Sequence, residues 1–351
     1  MNTSATPSSF SSGMSSPGMV PPQAALFDQS VGLVRTQVIA TLAELGVADE
    51  LAKGPATAAE LAGRLGVDAD ALHRRMRAAV VSGLLKLDGE GRFSLARTGQ
   101  ALRTDHPTSV RDWARYFASK SNSDAWTDLT ETVRTGRAAF PRVHGRSVWQ
   151  WFAEHPDEER TFAGGMRAGT LQDAPFIVGG YPWPEAGVVC DVAGGVGTLL
   201  AAVLDARPGL RGVLVDAPGV LAEADGWLTT RGVRDRVDLA AGDIFRSLEA
   251  RADVYLLKNI LHDWDDEACT TILRTVRAAM QEGARLVAVE YLQERNEPDI
   301  IASLSDLQMM NVCDDGRERS AAEIQELFRA AGLRPGRVVR TGGPGLVEAL
   351  A

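Results

Sequence analysis

Residues 188–197 read VVCDVAGGVG, a short apolar run that leads into an acid and a glycine-rich loop. Further apolar runs follow with room for a helix between them: GVLVD, VDLAAGDIF, ADVYLLKN and ARLVAVEYL. Strands that alternate with helices predict an α/β fold, an open and mostly parallel sheet with helices on both faces. The runs RVVRT and GLVEAL, on either side of a GGPG turn, predict a terminal hairpin that joins the same sheet.

The loop from Asp191 to Gly197 predicts a cofactor site. Glycine lets the backbone turn sharply and lets a ligand approach closely. Asp216 ends the second strand, where a carboxylate can bind ribose hydroxyls. Asp243 ends the third, and with Phe245 it is suited to an adenine edge and face. The alternative, that these acids merely cap helices, is disfavoured because three successive strand ends carry them.

The register of the loop separates two cofactors. A nicotinamide-binding GxGxxG loop would need a third glycine at position 200, where this chain has Leu200. Asp191 precedes the loop, where it can face the cationic amino-acid end of a ligand. Both features favour S-adenosylmethionine (SAM) over NAD.

The N-terminal part predicts a different organisation. Residues 1 to about 22 lack charge and are rich in Ser, Pro and Gly, which predicts a disordered tail. Residues 57–102 predict two helices and a hairpin, the outline of a winged helix, with seven Lys and Arg against five Asp and Glu. Arg74, Arg75 and Arg77 leave a DNA-binding regulator open. A structural winged helix that packs a dimer is the favoured interpretation.

Composition narrows the classes further. The 351 residues carry 37 Lys and Arg against 46 Asp and Glu, a net charge of −9, which argues against nucleic acid as a partner. Three cysteines lie far apart and form no zinc or disulfide pattern, which fits the cytoplasm. No apolar stretch approaches the ~20 residues that span a bilayer.

Longer motifs carry a family resemblance. DVAGGVG, LVDAP, GDIF and above all LKNILHDWDDE (Leu257 to Glu267) resemble class I SAM-dependent O-methyltransferases of small molecules. The similar group contains plant caffeate and flavonoid enzymes and bacterial polyketide and phenazine enzymes, and the resemblance covers the chain from Ala24 to its end. It implies a Rossmann-like catalytic domain, an N-terminal winged-helix dimerisation domain, a homodimer and SAM as cofactor.

With that resemblance the chain divides into four predicted parts. They are a disordered tail (1–22), a winged-helix-like dimerisation domain (23–105), a helical linker and substrate-pocket region (106–180) and a SAM-binding catalytic domain (181–351). Two departures from the family pattern stand out: Ala193 replaces a glycine, and Asp315-Gly316, preceded by Asp314, replaces a double glycine. The two acids could alter which substrate enters.

His262, just past the fourth strand, is the predicted general base. A phenol is mostly protonated at neutral pH, so a base near its oxygen helps, by roughly 10²–10⁴-fold. A lone histidine is more often structural, but its place in LKNILHDWDDE favours catalysis. The resemblance points to Glu290 and Glu318 as the carboxylates that orient it, and to Lys258 as a residue near the adenine.

The resemblance extends to FAGGMRAGT (162–170), which matches a helix over the cofactor, and to SDLQMMNVCDDGRERS (305–320), which matches a substrate helix and a Gly-Gly-x-Glu-Arg segment. The helical region before the sheet is expected to add aromatic residues to the acceptor pocket. The predicted cofactor-binding residues are Phe162, Met166, Asp191, Gly194, Gly195, Gly197, Asp216, Asp243, Ile244, Phe245 and Lys258. The predicted pocket for a small aromatic acceptor is lined by Trp149, Phe176, Asp263, Met309 and Met310. The acids after His262 fit the start of a helix rather than a metal site, so we predict metal independence.

The reaction itself stays open at two points. Hydroxylation, decarboxylation or pericyclic chemistry could use the same SAM-binding scaffold, since a fold does not determine a function. The acceptor, and the choice between O-, N- and carboxyl methylation, cannot be read from these residues.

Overall fold

A computed structural model describes residues 21–351, and its chain divides after Ala118 into two compact units. The predicted tail lies outside the described residues except for its last two positions. The four-part division of the chain stays a prediction. Across residues 21–351, no helix combines the length and the apolar composition that crossing a membrane requires.

The first unit is mostly helical. Its elements are α1 (Pro22–Ser30), α2 (Gly32–Leu45), α3 (Val47–Ala52), α4 (Ala58–Leu65), α5 (Ala69–Val81), β1 (Leu85–Leu87), β2 (Phe93–Leu95), a 3₁₀ turn (Thr98–Leu102) and α6 (Arg111–Phe117). Thr57 and Glu60 form the reciprocal cap that starts α4, and Gly66 ends it in the left-handed conformation. The antiparallel pair β1–β2 follows α5, so the predicted order of helix, helix and hairpin is confirmed.

The second unit begins with helices and continues as alternating strands and helices. The helices before the sheet are α7 (Lys120–Thr127), α8 (Leu129–Thr135), α9 (Ala139–His144), α10 (Val148–Glu154) and α11 (Pro156–Gly180). The alternating elements are β3 (Gly187–Val192), α12 (Thr198–Ala206), β4 (Leu210–Asp216), α13 (Pro218–Thr230), β5 (Val237–Ala241), β6 (Val254–Lys258), α14 (Asp266–Ala279), β7 (Arg285–Glu290), α15 (Ile300–Val312), α16 (Ala321–Ala330), β8 (Arg334–Val339) and β9 (Gly345–Leu350).

One seven-stranded sheet organises the second unit. Its order is β5-β4-β3-β6-β7-β9-β8, with parallel pairing from β5 to β7 and antiparallel pairing of β9 with both β7 and β8. The predicted α/β sheet and its terminal hairpin are therefore confirmed. From β3 the sheet extends through β4 and β5 on one side and through β6 and β7 on the other, so the strand order reverses between β3 and β6. Open α/β sheets bind ligands at such a point.

The two faces of the sheet bury different side chains, because successive residues of a strand point to opposite faces. Val189 and Leu256 pack with Ile177 of α11 on one face. Cys190 and Tyr255 pack with α14 and α16 on the other. The carboxyl ends of β3, β4, β6 and β7 thus lie between the helices that cover the two faces of the sheet.

Candidate active site

The loop after β3 has the backbone that a close ligand needs. Ala193, Gly195 and Gly197 all have positive φ, at 54°, 61° and 80°. Gly194 has no space for a Cβ, which would overlap the carboxyl of Asp191. At Ala193 the left-handed conformation costs roughly 1–2 kcal/mol, because this residue carries a Cβ.

Asp191 is the one acid of this loop, and it is deeply buried. Its side chain is 1% exposed, and one carboxylate oxygen, Oδ2, has no hydrogen-bond partner. Burial raises the pKa of Asp191 to about 7, because a charged carboxylate is costly away from water. A buried carboxylate oxygen without a partner, next to the glycine-rich loop, has the charge and the free acceptor that the ammonium group of SAM requires.

Asp216 and Asp243 stand at the next two strand ends. Asp216 is the last residue of β4, and its two oxygens accept hydrogen bonds from the backbone N–H of Gly195 at 2.8 Å and of Ala217 at 2.7 Å. The prediction that Asp243 ends its strand is wrong by two residues, since β5 ends at Ala241 and the chain then turns. Asp243 instead accepts the backbone N–H of Phe245 at 2.9 Å.

Aromatic side chains cluster beside Phe245. Trp264 meets Phe245 edge to face at 4.9 Å between ring centroids and stacks on Trp149 at 6.0 Å. Trp149 also contacts Phe162 of α11 edge to face. The structure therefore groups Trp149, predicted for the acceptor pocket, with two residues predicted for the cofactor. Trp264 lies in the motif LKNILHDWDDE but is not among the residues predicted for the site.

His262 lies in a 3₁₀ turn after β6 and is buried among three carboxylates. Its Nδ1 lies 2.8 Å from Oε1 of Glu318 and 3.5 Å from Oε2 of Glu290. Its Nε2 lies 3.6 Å from Oδ1 of Asp263. The short contact makes Nδ1–H the donor to Glu318, so that in the neutral imidazole the lone pair lies on Nε2.

Glu290 and Glu318 have different tasks. Oε1 of Glu290 accepts the backbone N–H groups of Ile260 at 3.1 Å and Leu261 at 2.9 Å, so this carboxylate holds the turn that carries His262. Glu318 contacts the ring itself and also accepts the hydroxyl of Ser305 at 2.6 Å. Both predicted carboxylates are thus brought to His262, with Glu318 as its hydrogen-bond partner.

The carboxylates control the charge of the imidazole. Burial acts to lower the pKa of His262, but the negative charges of Glu318, Glu290 and Asp263 outweigh it and raise the pKa to about 10. Burial also raises the pKa of Glu290 to about 7 and that of Asp263 to about 6. His262 is therefore a strong base whose neutral form grows as the pH rises.

Arg319, the residue after Glu318, holds the same turn through the backbone. It is 2% exposed, donates to the backbone carbonyl of Trp264 at 2.8 Å and forms an ion pair with Asp266 at 2.7 Å. The segment after α15 thus holds the His262 turn from two sides, through Glu318 on the ring and Arg319 on the backbone. Asp265 caps α14 by accepting the N–H of Ala268, as predicted for an acid at a helix start.

Lys258 ends β6, but its ammonium group is already paired. Nζ lies 3.0 Å from Oδ2 of Asp173, a buried acid of α11. The hydroxyl of Tyr291 donates to Oδ1 of the same carboxylate at 2.6 Å. Sequence reasoning did not identify Asp173 or Tyr291. Tyr291 lies in the run ARLVAVEYL, but no local pattern links it to an acid on α11.

The other predicted acceptor residues are less closely grouped. Met309 and Met310 are half-buried on α15, the helix that also carries Ser305. Phe176 is 44% exposed and packs on Gly342 and Gly343 of the hairpin turn. Two residues predicted for the cofactor also lie apart from the loop: Met166 is on α11 one turn after Phe162, and Ile244 is half-buried against the core. Asp314 and Asp315 are exposed at the end of α15.

One group of side chains could hold a metal ion by its donor types. A nitrogen of His262 and one oxygen each of Glu290 and Glu318 lie within 4.8 Å of one another. Nδ1 and Oε1 of Glu318 already satisfy each other, and Oε1 of Glu290 is bound to the backbone. Metal independence stays a prediction.

Comparison with known proteins gives two matches to protein families. Residues 126–334 match the family model for an O-methyltransferase domain, and residues 27–105 match that for an O-methyltransferase dimerisation domain. The first match includes His262, Glu290 and Glu318 and all predicted cofactor residues.

Individual relatives cover most of the chain. The mitomycin biosynthesis 6-O-methyltransferase of Streptomyces lavendulae is 36% identical over 315 residues, 89% of this chain and 90% of its own length. The aclacinomycin 10-hydroxylase of Streptomyces purpurascens is 33% identical over 306 residues, 86% of this chain and 82% of its own. A crystal structure of an O-methyltransferase from neocarzinostatin biosynthesis, solved with S-adenosylhomocysteine (SAH) and 1,4-dihydroxy-2-naphthoic acid, superposes with a TM-score of 0.77 at 32% identity, covering 92% of this chain and 98% of that one.

Proposed function

Because this chain belongs to the O-methyltransferase family and uses SAM as its methyl donor, we propose that it methylates a hydroxyl group of a small aromatic or polyketide-type molecule, with His262 as the general base. The observation that carries this proposal is the buried contact of 2.8 Å between Nδ1 of His262 and Glu318. It fixes the tautomer and the orientation of the ring, the two properties that a base acting through Nε2 requires.

The residues of the chain divide the work of the reaction. When bound, SAM supplies an electrophilic methyl group on a sulfonium, and the sulfur leaves as neutral SAH. Asp191, the Gly194–Gly195 loop and Asp216 would bind and orient that donor, and the aromatic pair Phe245–Trp264 would offer an apolar surface to its adenine. Neutral His262 accepts the hydroxyl proton at Nε2 as the acceptor oxygen forms its bond to carbon. Glu318 stabilises the imidazolium that results.

An aromatic acceptor fits the side chains near this base. Met309 and Met310 are half-buried on the helix that also carries Ser305, and methionine adapts to flat ligands of varied shape. Relatives named for mitomycin, puromycin and naphthoate O-methylation point to the same class of acceptor. The distance of 3.6 Å between Oδ1 of Asp263 and Nε2 supports a role for Asp263 in contacting an acceptor hydroxyl.

The working form of the protein is proposed to be a homodimer in the cytoplasm, without nucleic acid as a partner. The match to a dimerisation domain and the exposed apolar residues of α1 and α2 support the dimer. The three cysteines are all unpaired and buried, which suits a reducing compartment.

A second candidate function is hydroxylation on the same scaffold. One observation favours it, the 33% identity to an aclacinomycin 10-hydroxylase. The buried base and its two carboxylates favour methyl transfer, since they serve to remove a proton from a hydroxyl.

The test begins with isothermal titration of the purified protein with SAM and, separately, with NADH. SAM is expected to bind at micromolar affinity and NADH not to bind. The protein is then incubated with SAM and a panel of phenolic natural products, and products are analysed by mass spectrometry. Gain of one CH₂ unit with release of SAH supports the proposal, whereas gain of one oxygen atom favours the hydroxylase. Absence of SAM binding overturns both.

A further inference from the structure

Three polar side chains, buried Asp173 and half-buried Lys258 and Tyr291, join α11 to the carboxyl ends of β6 and β7. Asp173 of α11 accepts Nζ of Lys258 at 3.0 Å and the hydroxyl of Tyr291 at 2.6 Å. The side chains of Lys258 and Asp173 are only 9% and 7% exposed. A buried ion pair gains little stability over apolar packing, so this one calls for a functional explanation.

The strand register places Lys258 beside the cofactor loop. Asp191 of β3 is in register with Leu256 of β6, and Lys258 is two residues further along. Because side chains alternate along a strand, Asp191, Leu256 and Lys258 lie on the same face of the sheet. One strand across and two residues along corresponds to about 8 Å between Cα atoms. That distance is within the reach of a lysine side chain.

Asp191 is an attractive alternative partner for this lysine. Its Oδ2 is buried and has no hydrogen-bond partner. If Nζ of Lys258 moved there, it would occupy the position that the ammonium group of the cofactor needs. In the structure it does not, because Asp173 binds it on the α11 side.

We propose that Asp173 is a positioning residue that holds Lys258 away from Asp191 and so keeps that carboxylate available to the ammonium group of SAM. Tyr291 supports this task by binding the second oxygen of Asp173, which leaves Oδ2 directed at Lys258. The inference rests on the proposed function, because it assumes that Asp191 binds the amino-acid end of the cofactor.

The electrostatics agree with this arrangement. Burial raises the pKa of Asp191 and the nearby Asp216 raises it further, while the charge of Lys258 lowers it. Lys258 is therefore close enough to act on Asp191 although its direct partner is Asp173. Burial and the hydrogen bond to Asp173 raise the pKa of Tyr291, so its hydroxyl remains a donor at every working pH.

A double-mutant cycle separates this role from simple packing. SAM affinity is measured by isothermal titration for the wild type, Asp173→Asn, Lys258→Met and the double variant. We expect Asp173→Asn to weaken SAM binding about tenfold, or 1.4 kcal/mol. In the Lys258→Met background the same substitution should have no further effect, because the competing ammonium group is gone.

Matched controls come from a second buried tyrosine–carboxylate pair. The hydroxyl of Tyr181 donates to Glu348 at 2.7 Å on the antiparallel side of the sheet. Tyr181→Phe and Glu348→Gln should leave SAM affinity unchanged, whereas Tyr291→Phe should weaken it. Tyr291→Phe also keeps the test possible if Asp173→Asn does not fold, which thermal unfolding would reveal.

The outcomes distinguish the inference from the proposed function. Suppose that the wild type binds SAM and that Asp173→Asn weakens binding by the same factor in the wild type and in Lys258→Met. Asp173 then acts only through packing, and the inference is wrong. Unchanged SAM affinity in both Asp173→Asn and Tyr291→Phe also overturns it. If the wild type itself does not bind SAM, the proposed function fails first.

Discussion

Nδ1 of His262 lies 2.8 Å from Oε1 of Glu318, a residue 56 positions further along the chain. The contact joins the turn after β6 to the segment after α15, and it occurs where both side chains are buried. A charged carboxylate at this distance both orients the imidazole and raises its pKa. Glu318 thus contributes to both the orientation and the basicity of the proposed base, together with the charges of Glu290 and Asp263.

The first prediction concerns the pH dependence of turnover in Glu318→Gln. The carboxylates raise the pKa of His262 to about 10, so kcat/KM should increase with pH as neutral His262 accumulates below that value. Removing the charge of Glu318 lowers the pKa of His262, so the rising part of the profile should move to lower pH. The plateau should fall by about 10–100-fold because the ring loses its orientation.

Glu290→Gln is the comparison for this experiment. Its Oε1 can still accept the backbone N–H groups of Ile260 and Leu261, and it lies farther from Nδ1, at 3.5 Å. We expect a shift in the same direction with a smaller loss of the plateau. A Glu318→Gln profile that coincides with that of the wild type is incompatible with a direct effect of Glu318 on His262.

The second prediction concerns the pH dependence of SAM binding. Burial raises the pKa of Asp191 to about 7, so the free protein holds a proton there at lower pH. The ammonium group of SAM requires the charged carboxylate, so its binding expels this proton. Affinity should fall as the pH decreases below 7, approaching about tenfold per pH unit, and level off above it.

Calorimetry at pH 6 checks this linkage. Titrations in two buffers that differ in ionisation enthalpy should report release of close to one proton per bound SAM, and far less at pH 8.5. The Asp191→Asn variant should bind SAM weakly with no such release. Proton release that is the same at both pH values contradicts the assignment.

The third prediction concerns assembly. Phe27 and Leu33, on α1 and α2, are 69% and 65% exposed. A large exposed apolar surface on the part of the chain that matches a dimerisation domain is best covered by a second copy. Light scattering should show a dimer for the wild type and a monomer for Phe27→Glu/Leu33→Glu. Val133→Glu, equally apolar and 71% exposed but outside that domain, should remain a dimer.

The fourth prediction concerns metals. Because Nδ1 of His262 is already bound to Oε1 of Glu318, and Oε1 of Glu290 to the backbone, methyl transfer should be unchanged after dialysis against EDTA. Restoration of lost activity by Mg²⁺ or Zn²⁺ would show that His262, Glu290 and Glu318 hold an ion instead.

Much of the site follows from sequence because it lies at the ends of parallel strands. Asp191, Asp216 and Lys258 sit where the alternation of strands and helices predicts ligand contacts, and the structure brings them to one edge of the sheet. His262 and Glu318 required a recognised motif, since 56 residues separate them and no local pattern links them.

The parts that sequence did not reveal depend on packing between distant elements. Asp173 meets Lys258 and Tyr291 only because α11 packs against the sheet, and an acid on a 25-residue helix carries no local signal. Trp149 was predicted for the acceptor pocket, but its contacts depend on how α10 packs against Phe162 of α11 and against Trp264, which precedes α14. Such contacts are set by tertiary structure alone.

The most direct measurement compares methyl transfer and SAM binding in one preparation of His262→Ala. If His262 is the base, kcat should fall by roughly 10²–10⁴-fold, while the Kd for SAM stays within about twofold of the wild type. His106→Ala, in the first unit, should change neither quantity. Transfer by His262→Ala at the wild-type rate would contradict the assignment of His262 as the general base.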